Sequence, residues 1–438
     1  VRNQQPLLTE ASRKKTQTRQ VELAQIRLHY RLKHSQPFLQ IGKAQSMAAT
    51  SDVVVIGGGA IGLAIALELR LQGALVTILS RNGAQAASYA AAGMLAPQAE
   101  QLPPGAMLEL CLSSRSLYPD WTQKLEAMTG LPTGYWACGI LAPVYEEGAE
   151  GRGRQGNRGS RETEEAGAAG EAEVLSELKT QNFHSRLPTP VHWLDRAAIQ
   201  QRQSGLSADV SGGWWYPKDA QVDNRSLTKA LWVAVRDAGV DVQEGVAVQA
   251  ILHQSGQVSE LQTSRGTLQA GHYVLATGAW SQDVLPLPVM PRKGQMLSVR
   301  VPVEQGLPLQ TVLFGSEIYI VPRQNGYIII GATSEDVGFA PDNTPESVKS
   351  LLARSLRLYP ALRQFPMQEC WWGFRPATPD ELPILGASPY DNLTLATGHY
   401  RNGILLAPVT AHLIVDRILH QRSDPLLEAF HWSRFSAN

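Results

Sequence analysis

The chain has 438 residues, 39 Lys plus Arg against 39 Asp plus Glu, and an apolar share of 43%. That length suits two or three domains with a sizeable core, and the balanced charge offers no field for nucleic acid or an acidic partner. No apolar run reaches the roughly 18 to 20 residues that cross a bilayer, so no stable membrane insertion is expected.

Residues 1–50 are Gln-rich and basic (Arg13, Lys14, Lys15, Arg19, Arg27, Arg31, Lys33, Lys43), with Glu10 and Glu22 as the only acids. A core cannot be built from them, and a disordered extension is expected. Met47 opens "MAATSD" just before the first apolar run and serves as the working start. The other reading of an Arg-rich, acid-poor segment is a transit peptide, which would change the expected location from cytoplasm to plastid.

From Asp52 the pattern changes. "DVVVIGGGAIGLAIALELRLQGALVTILSR" predicts a buried strand, a glycine turn, an apolar helix stopping at Gly73 and a second buried strand, a βαβ unit. "SYAAAGMLAPQAE" follows: either bare backbone lying close to a flat ligand or a tightly packed Ala-rich helix. Gly148 to Glu173 is low-complexity and predicts a disordered surface insert. "SLTKALWVAVRDAGVDVQEGVAVQAI" predicts a helix, a stop at Gly239 and short strands, and "HYVLATGAWS" another buried strand ending in a turn. Alternating segments from Gly294 to Ala332 carry an Asn325-Gly326 hairpin signal and predict antiparallel sheet. "TPESVKSLLARSLRLYP" predicts a helix with Pro345 in its first turn. The cysteines, Cys111, Cys138 and Cys370, have no CxxC or metal spacing and are expected to be buried free thiols in a reducing compartment. The histidines show no HxH or HExxH pattern, and no metal is assigned.

Gly57, Gly59 and Gly62 form GxGxxG directly after a strand and at the opening of a helix, the context in which backbone amides receive a pyrophosphate. The second strand does not end in the acid that usually holds a ribose hydroxyl: Ser80 and Arg81 stand there, and Arg81 keeps NADP open. "VLATGAW" and "LATGHYRNG" each end a buried strand in Ala-Thr-Gly. Ligands of parallel sheets bind beyond the carboxyl ends of strands, so both turns should face the crevice of the glycine motif.

Taken together, that motif, "AAAGML", "YIVPR", "WWGFRPATPDELPILG" and "GHYRNGILLAP" resemble the D-amino-acid-oxidase-like flavoproteins, and within them the glycine oxidases of thiamine biosynthesis. The likeness runs from about Asp52 to Phe430 outside the insert. It implies an α/β fold, an FAD-binding Rossmann-like domain (51–130, 205–290 and 372–432) interleaved with an antiparallel-sheet α+β substrate domain (131–204 and 291–371). It also implies non-covalent FAD and hydride transfer from the α-carbon of glycine or another small amino acid or amine to the flavin. The products would be an imine or glyoxylate, ammonia and hydrogen peroxide. Iminoacetate would serve the thiazole of thiamine, with a functional link to thiazole synthase. D-amino acids, sarcosine, and a dehydrogenase using another electron acceptor stay open.

By the same resemblance, Arg375 grips the substrate carboxylate, Tyr319 stands beside it and Arg401 is a second arginine near the substrate. The expected cofactor contacts are Gly57, Gly59, Ala60, Ile61 and Gly62, then Ser80, Arg81, Ala87 and Ser88, then Ala92, Gly93 and Met94. Val248, Thr277 and Gly278 follow, and finally the loop His399, Tyr400, Arg401, Asn402, Gly403, Ile404 and Leu405. Trp371 and Trp372 are expected to exclude water from Arg375, and His399 to pack against the flavin rather than act as a base. Glu317 and Ser334 depart from the best-known members near the pocket. Expected partners are the small amino-acid or amine substrate and dioxygen, in a homo-oligomer.

Overall fold

The structure, a computed structural model, describes residues 51–145 and 190–436; the expected extension 1–50 and insert 148–173 lie outside the described residues. Val53–Ile56 is four apolar, β-branched residues, and all four are buried, as a strand covered on both faces requires. It pairs in parallel with Val76–Ser80 on one side and His272–Leu275 on the other. Leu393–Thr397 and then antiparallel Ile384–Ala387 extend one edge, and Asp241–Glu244 extends the other. The carboxyl ends of five parallel strands, separated widely in sequence, therefore open on one side.

Helices Ala60–Leu71, Ala106–Thr129, Asn224–Asp237 and Ala407–His420 bury their apolar faces with one side of this sheet, in a core that includes Val55, Leu63, Leu110, Leu231 and Ile414. Their ends follow from sequence. Gly73, at φ +101°, takes the left-handed turn after the first helix. Asp223 caps the third, its carboxylate accepting from the amides of Arg225 (3.1 Å) and Ser226 (3.2 Å). The second runs unbroken through Pro119, and that proline masks its helical signal in the sequence. A three-stranded antiparallel sheet, Val248–Gln254, Gln257–Thr263 and Gly266–Leu268, covers the other side.

A second sheet has eight strands, in the order Met367–Ala377, Met290–Arg300, Tyr327–Gly331, Tyr319–Pro322, Val312–Phe314, Ile140–Tyr145, Val210–Tyr216 and His192–Asp195. It is antiparallel except where Val312–Phe314 meets Ile140–Tyr145. The hairpin expected at Asn325-Gly326 joins Tyr319–Pro322 to Tyr327–Gly331, with Gly326 at φ +88°. Helix Pro345–Leu358, capped by Thr344 accepting from the Ser347 amide at 3.3 Å, closes one face over Leu297, Ile320 and Ile328. The other face, with Met296 and Val321, meets Ala92, Ala96 and Ala99. Parallel α/β and antiparallel α+β layers are thus both present, as the fold class requires.

Arg323, the arginine of "YIVPR", fastens the two layers. Its buried guanidinium donates to the Gln221 side chain (2.5 Å), the Val222 carbonyl (2.9 Å), the Ala92 carbonyl (2.6 Å) and the Asn224 side chain (3.2 Å). Burial lowers its pKa to about 10, so it stays charged at neutral pH. The Ala-rich run beside it is not a packed helix. Only Ala87–Ala90 is helical, and Met94–Leu95 pairs with Ala220–Gln221 because Gly93, at φ +71°, lies so close to the Val222 carbonyl that a Cβ would meet it at 2.1 Å. All three cysteines are free, but Cys138 and Cys370 are only partly buried, so the expectation of three buried thiols holds for Cys111 alone.

Candidate active site

Beyond the carboxyl ends of the parallel strands lies a cavity of about 780 Å³, within the usual range for small-molecule sites. It runs from the Gly57–Ile61 turn, past Ala87–Met94, to Tyr319 and Arg375 on the antiparallel sheet. Two glycines of the motif are fixed by packing. A Cβ on Gly57 (φ +124°) would stand 2.2 Å from the Ala276 carbonyl, and one on Gly62 would stand 2.0 Å from the Gly57 carbonyl. Gly59 differs: its φ is −81°, and an added Cβ would meet nothing nearer than 3.7 Å. Its bareness answers no need of the protein itself. Next to it the Ser88 hydroxyl is buried without a hydrogen-bond partner. Bare amides at a helix N-terminus and an unsatisfied hydroxyl suit a diphosphate, and the residues present fit FAD. Gly59→Ala is therefore expected to leave the apoprotein's melting within about 0.5 kcal/mol of the parent while sharply lowering the flavin absorbance retained per protein; undiminished flavin retention would refute this use of Gly59.

Ser80, buried at its strand end, and Arg81 line the cavity's far end with Val248. Arg81 stacks over Trp280 at 4.9 Å. Thr277 and Gly278, from the first Ala-Thr-Gly turn, and Thr397 and His399, from the second, face the same space, as expected from strand order. In the C-terminal loop Gly398 (φ +72°) and Tyr400 (φ +46°) turn the chain back, and the Tyr400 amide donates to the Pro376 carbonyl at 3.0 Å. Tyr400, Arg401, Gly403 and Ile404 line the cavity. His399 is buried, bonded to the Thr410 hydroxyl at 3.2 Å, and burial lowers its pKa to about 3, which removes it as a proton acceptor near neutrality.

Ala60, Ile61, Ala87, Ser88, Ala92, Gly93 and Met94 also border the cavity. Three predicted contacts do not. Gly62 is consumed by strand–helix packing, Leu405 lies in the core with its carbonyl accepting from Ser114 (2.6 Å), and Asn402 is buried behind the loop.

At the opposite end Arg375 and Tyr319 stand together because two other residues lack side chains. A Cβ on Gly294 would fall 2.5 Å from the Arg375 guanidinium, and one on Gly331, the cross-strand partner of Tyr319, 2.6 Å from the Tyr319 ring. Arg375 Nη1 donates to the Thr333 carbonyl at 3.1 Å, which aims the rest of the fork. Burial raises the Tyr319 pKa and Arg375 beside it works the other way, so the phenol remains a hydrogen-bond donor. Trp371 and Trp372 do not line the cavity: Trp371 donates to the Ala90 carbonyl at 3.0 Å, and Trp372 packs on Phe374 at 5.1 Å. Gly373 and Phe374 form that wall instead. Glu317 and Ser334 border the cavity too, with Glu317 paired to Arg354 at 3.3 Å.

One group at this end has no motif to announce it. Glu100 lines the cavity, where the charges of Arg401 and Arg375 and the amide of Asn402 act on its carboxyl. Its turn is anchored from below by Asp219, whose carboxylate accepts from the amides of Gln98 (3.2 Å) and Ala99 (2.8 Å) and pairs with Arg115. The only local signal is a carboxylate ending an otherwise small and apolar run.

A cofactor cradle continuous with an arginine–tyrosine pocket defines a redox flavoprotein, and the profile described as "FAD dependent oxidoreductase" (DAO) matches residues 52–417. The chain belongs to this family, and it is an FAD-dependent oxidoreductase. The NADP reading of Ser80 and Arg81 is thereby overturned. Among its relatives, the "Bifunctional protein ThiO/ThiG" of Trichormus variabilis is 58% identical over 387 residues, which are 88% of this chain and 55% of that protein. The chain thus spans about half the length of that relative. The glycine oxidase of Geobacillus kaustophilus is 35% identical over 84% of this chain and 92% of its own. A crystal structure of glycine oxidase from the same organism superposes with a TM-score of 0.78 at 32% identity, covering 88% of this chain and 99% of that one.

Proposed function

We propose that the chain oxidatively deaminates glycine, and to a lesser degree other small amino acids or amines. Arg375 carries this reading: a guanidinium fork on rigid sheet, its aim fixed by the Thr333 carbonyl, next to a neutral Tyr319 hydroxyl and directly beside the cofactor cradle. A buried carboxylate needs such a partner, and arginine offers two parallel charge-assisted hydrogen bonds. With the carboxylate held there, orientation of the α-carbon is the protein's main contribution. FAD, when bound, would take up the hydride and return the electrons to dioxygen as hydrogen peroxide. The imine would hydrolyse to glyoxylate and ammonia or leave as iminoacetate for thiazole formation, a role consistent with relatives named "Bifunctional protein ThiO/ThiG". Thiazole synthase is the partner this role calls for.

Anaerobic mixing with glycine, sarcosine and D-alanine tests the reading. Glycine should bleach the flavin fastest, and readmitted air should yield peroxide and glyoxylate; a flavin that stays oxidised with all three would overturn it.

A further inference from the structure

We propose that Glu100 binds the ammonium group of the amino-acid substrate and accepts its proton, so that the amine is neutral before the Cα–H bond breaks. This deepens the amine-oxidation reading and rests on it. The substrate arrives as a zwitterion, and the pocket must meet both of its charges. Arg375 and Tyr319 meet the carboxylate. Glu100 is an acid that borders the same cavity as Arg375, Tyr319 and Arg401, and both arginines act on its charge. Among the described residues no Lys or Arg nitrogen lies within ion-pair distance, 4.0 Å, of its carboxylate. The neutral amide of Asn402 also favours its charged form. A carboxylate so placed feels positive charge without being neutralised by contact, and a cation entering the cavity it shares with Arg375 completes the set.

The proton balance is simple. An N–H bond of the ammonium breaks, an O–H bond forms on Glu100, no oxidation state changes, and the proton later leaves through the cavity mouth. The groups around Glu100 set when it can accept. Burial raises its pKa to about 7, Arg401 opposes this first, the Asn402 bond next, Asp219 adds to the rise, and Arg375 opposes it. Cys111 and Tyr319, which also feel its charge, are themselves held in their neutral forms by burial, and Arg115 offsets Asp219. A base poised near the working pH is the efficient choice. The turn that carries Glu100 is held in place, since the amides of the two residues before it are bound to Asp219.

The test uses the flavin-loaded full chain and its Glu100→Gln and Glu100→Asp variants, titrated from about pH 5.5 to about pH 8.5. Glycolate, a carboxylate without an amine, reports binding through the flavin absorbance. In the parent its affinity should fall about tenfold as Glu100 ionises, and in Glu100→Gln it should not change with pH. Anaerobic flavin reduction by saturating glycine should rise through about pH 7 in the parent and fall by about 10²-fold or more in Glu100→Gln, with a shifted rising limb retained in Glu100→Asp. Parent-like rate and pH profile in Glu100→Gln, or glycolate binding indifferent to pH in the parent, would overturn the proposal. A parent enzyme that bleaches with glycine separates that failure from failure of the amine-oxidation reading, in which neither glycine nor glycolate perturbs the flavin and both ideas fall.

Discussion

Arg375→Ala is expected to lower kcat/KM for glycine by about 10²–10⁴-fold while leaving FAD bound. Removing one partner of a buried charge pair costs about 3–5 kcal/mol, and each 1.4 kcal/mol or so is tenfold in rate. The cofactor is retained because the Gly57–Ile61 turn and Ser88 stand at the other end of the cavity. Arg375→Lys should recover only part of the loss, since an ammonium supplies charge without the planar fork. A second signature follows from Glu100. Arg375 holds that carboxyl's pKa down, so the alanine variant should move the rising limb of the pH profile upward. Flavin-reduction kinetics over a glycine series, with a carboxylate-free amine as control, check this. Unchanged glycine affinity would remove Arg375 from the substrate site.

The second large effect concerns folding. Arg323→Ala should destabilise the protein by about 3–5 kcal/mol, because it strips four acceptors, two of them backbone carbonyls, of a buried donor. Ala92, one of those acceptors, borders the cofactor cavity, so flavin should also be lost early in the melt. Differential melting with and without added FAD measures both. Arg323→Lys should be intermediate, having the charge but too few donors. A melting temperature within about a degree of the parent would show that the layers hold together by apolar packing alone.

What could be read from the sequence follows from how local each signal is. The glycine motif, the start of the Pro345 helix and the Asn325-Gly326 hairpin depend on neighbours a few residues away, and their chemistry shows in a short window. Arg375 is visible through "GFRPAT", yet the reason it can stand where it does, an absent side chain at Gly294, lies on another strand. Glu100 stayed hidden for the same reason. The residues that make it unusual, Asn402, Arg401 and Asp219, reach it only when distant segments meet. Trp371 and Trp372 show the opposite error: bulk near a site in sequence was equated with bulk in its wall, whereas Trp371 turns to Ala90. The Ala-rich run was ambiguous by composition, and the close approach of Gly93 to Val222 decided it.

The strand order has a consequence for timing. Val53–Ile56 is made early, but its neighbour His272–Leu275 and that strand's own neighbour Leu393–Thr397 leave the ribosome much later. Synthesis proceeds at about 5–20 residues per second, and non-local pairings form slowly. For that interval the glycine turn exists without the Thr277 and His399 turns that close the cavity over it. Capture of FAD therefore reports that translation has passed the C-terminal loop, and a chain cut short before Leu393 would carry the fingerprint of a flavoprotein and remain colourless.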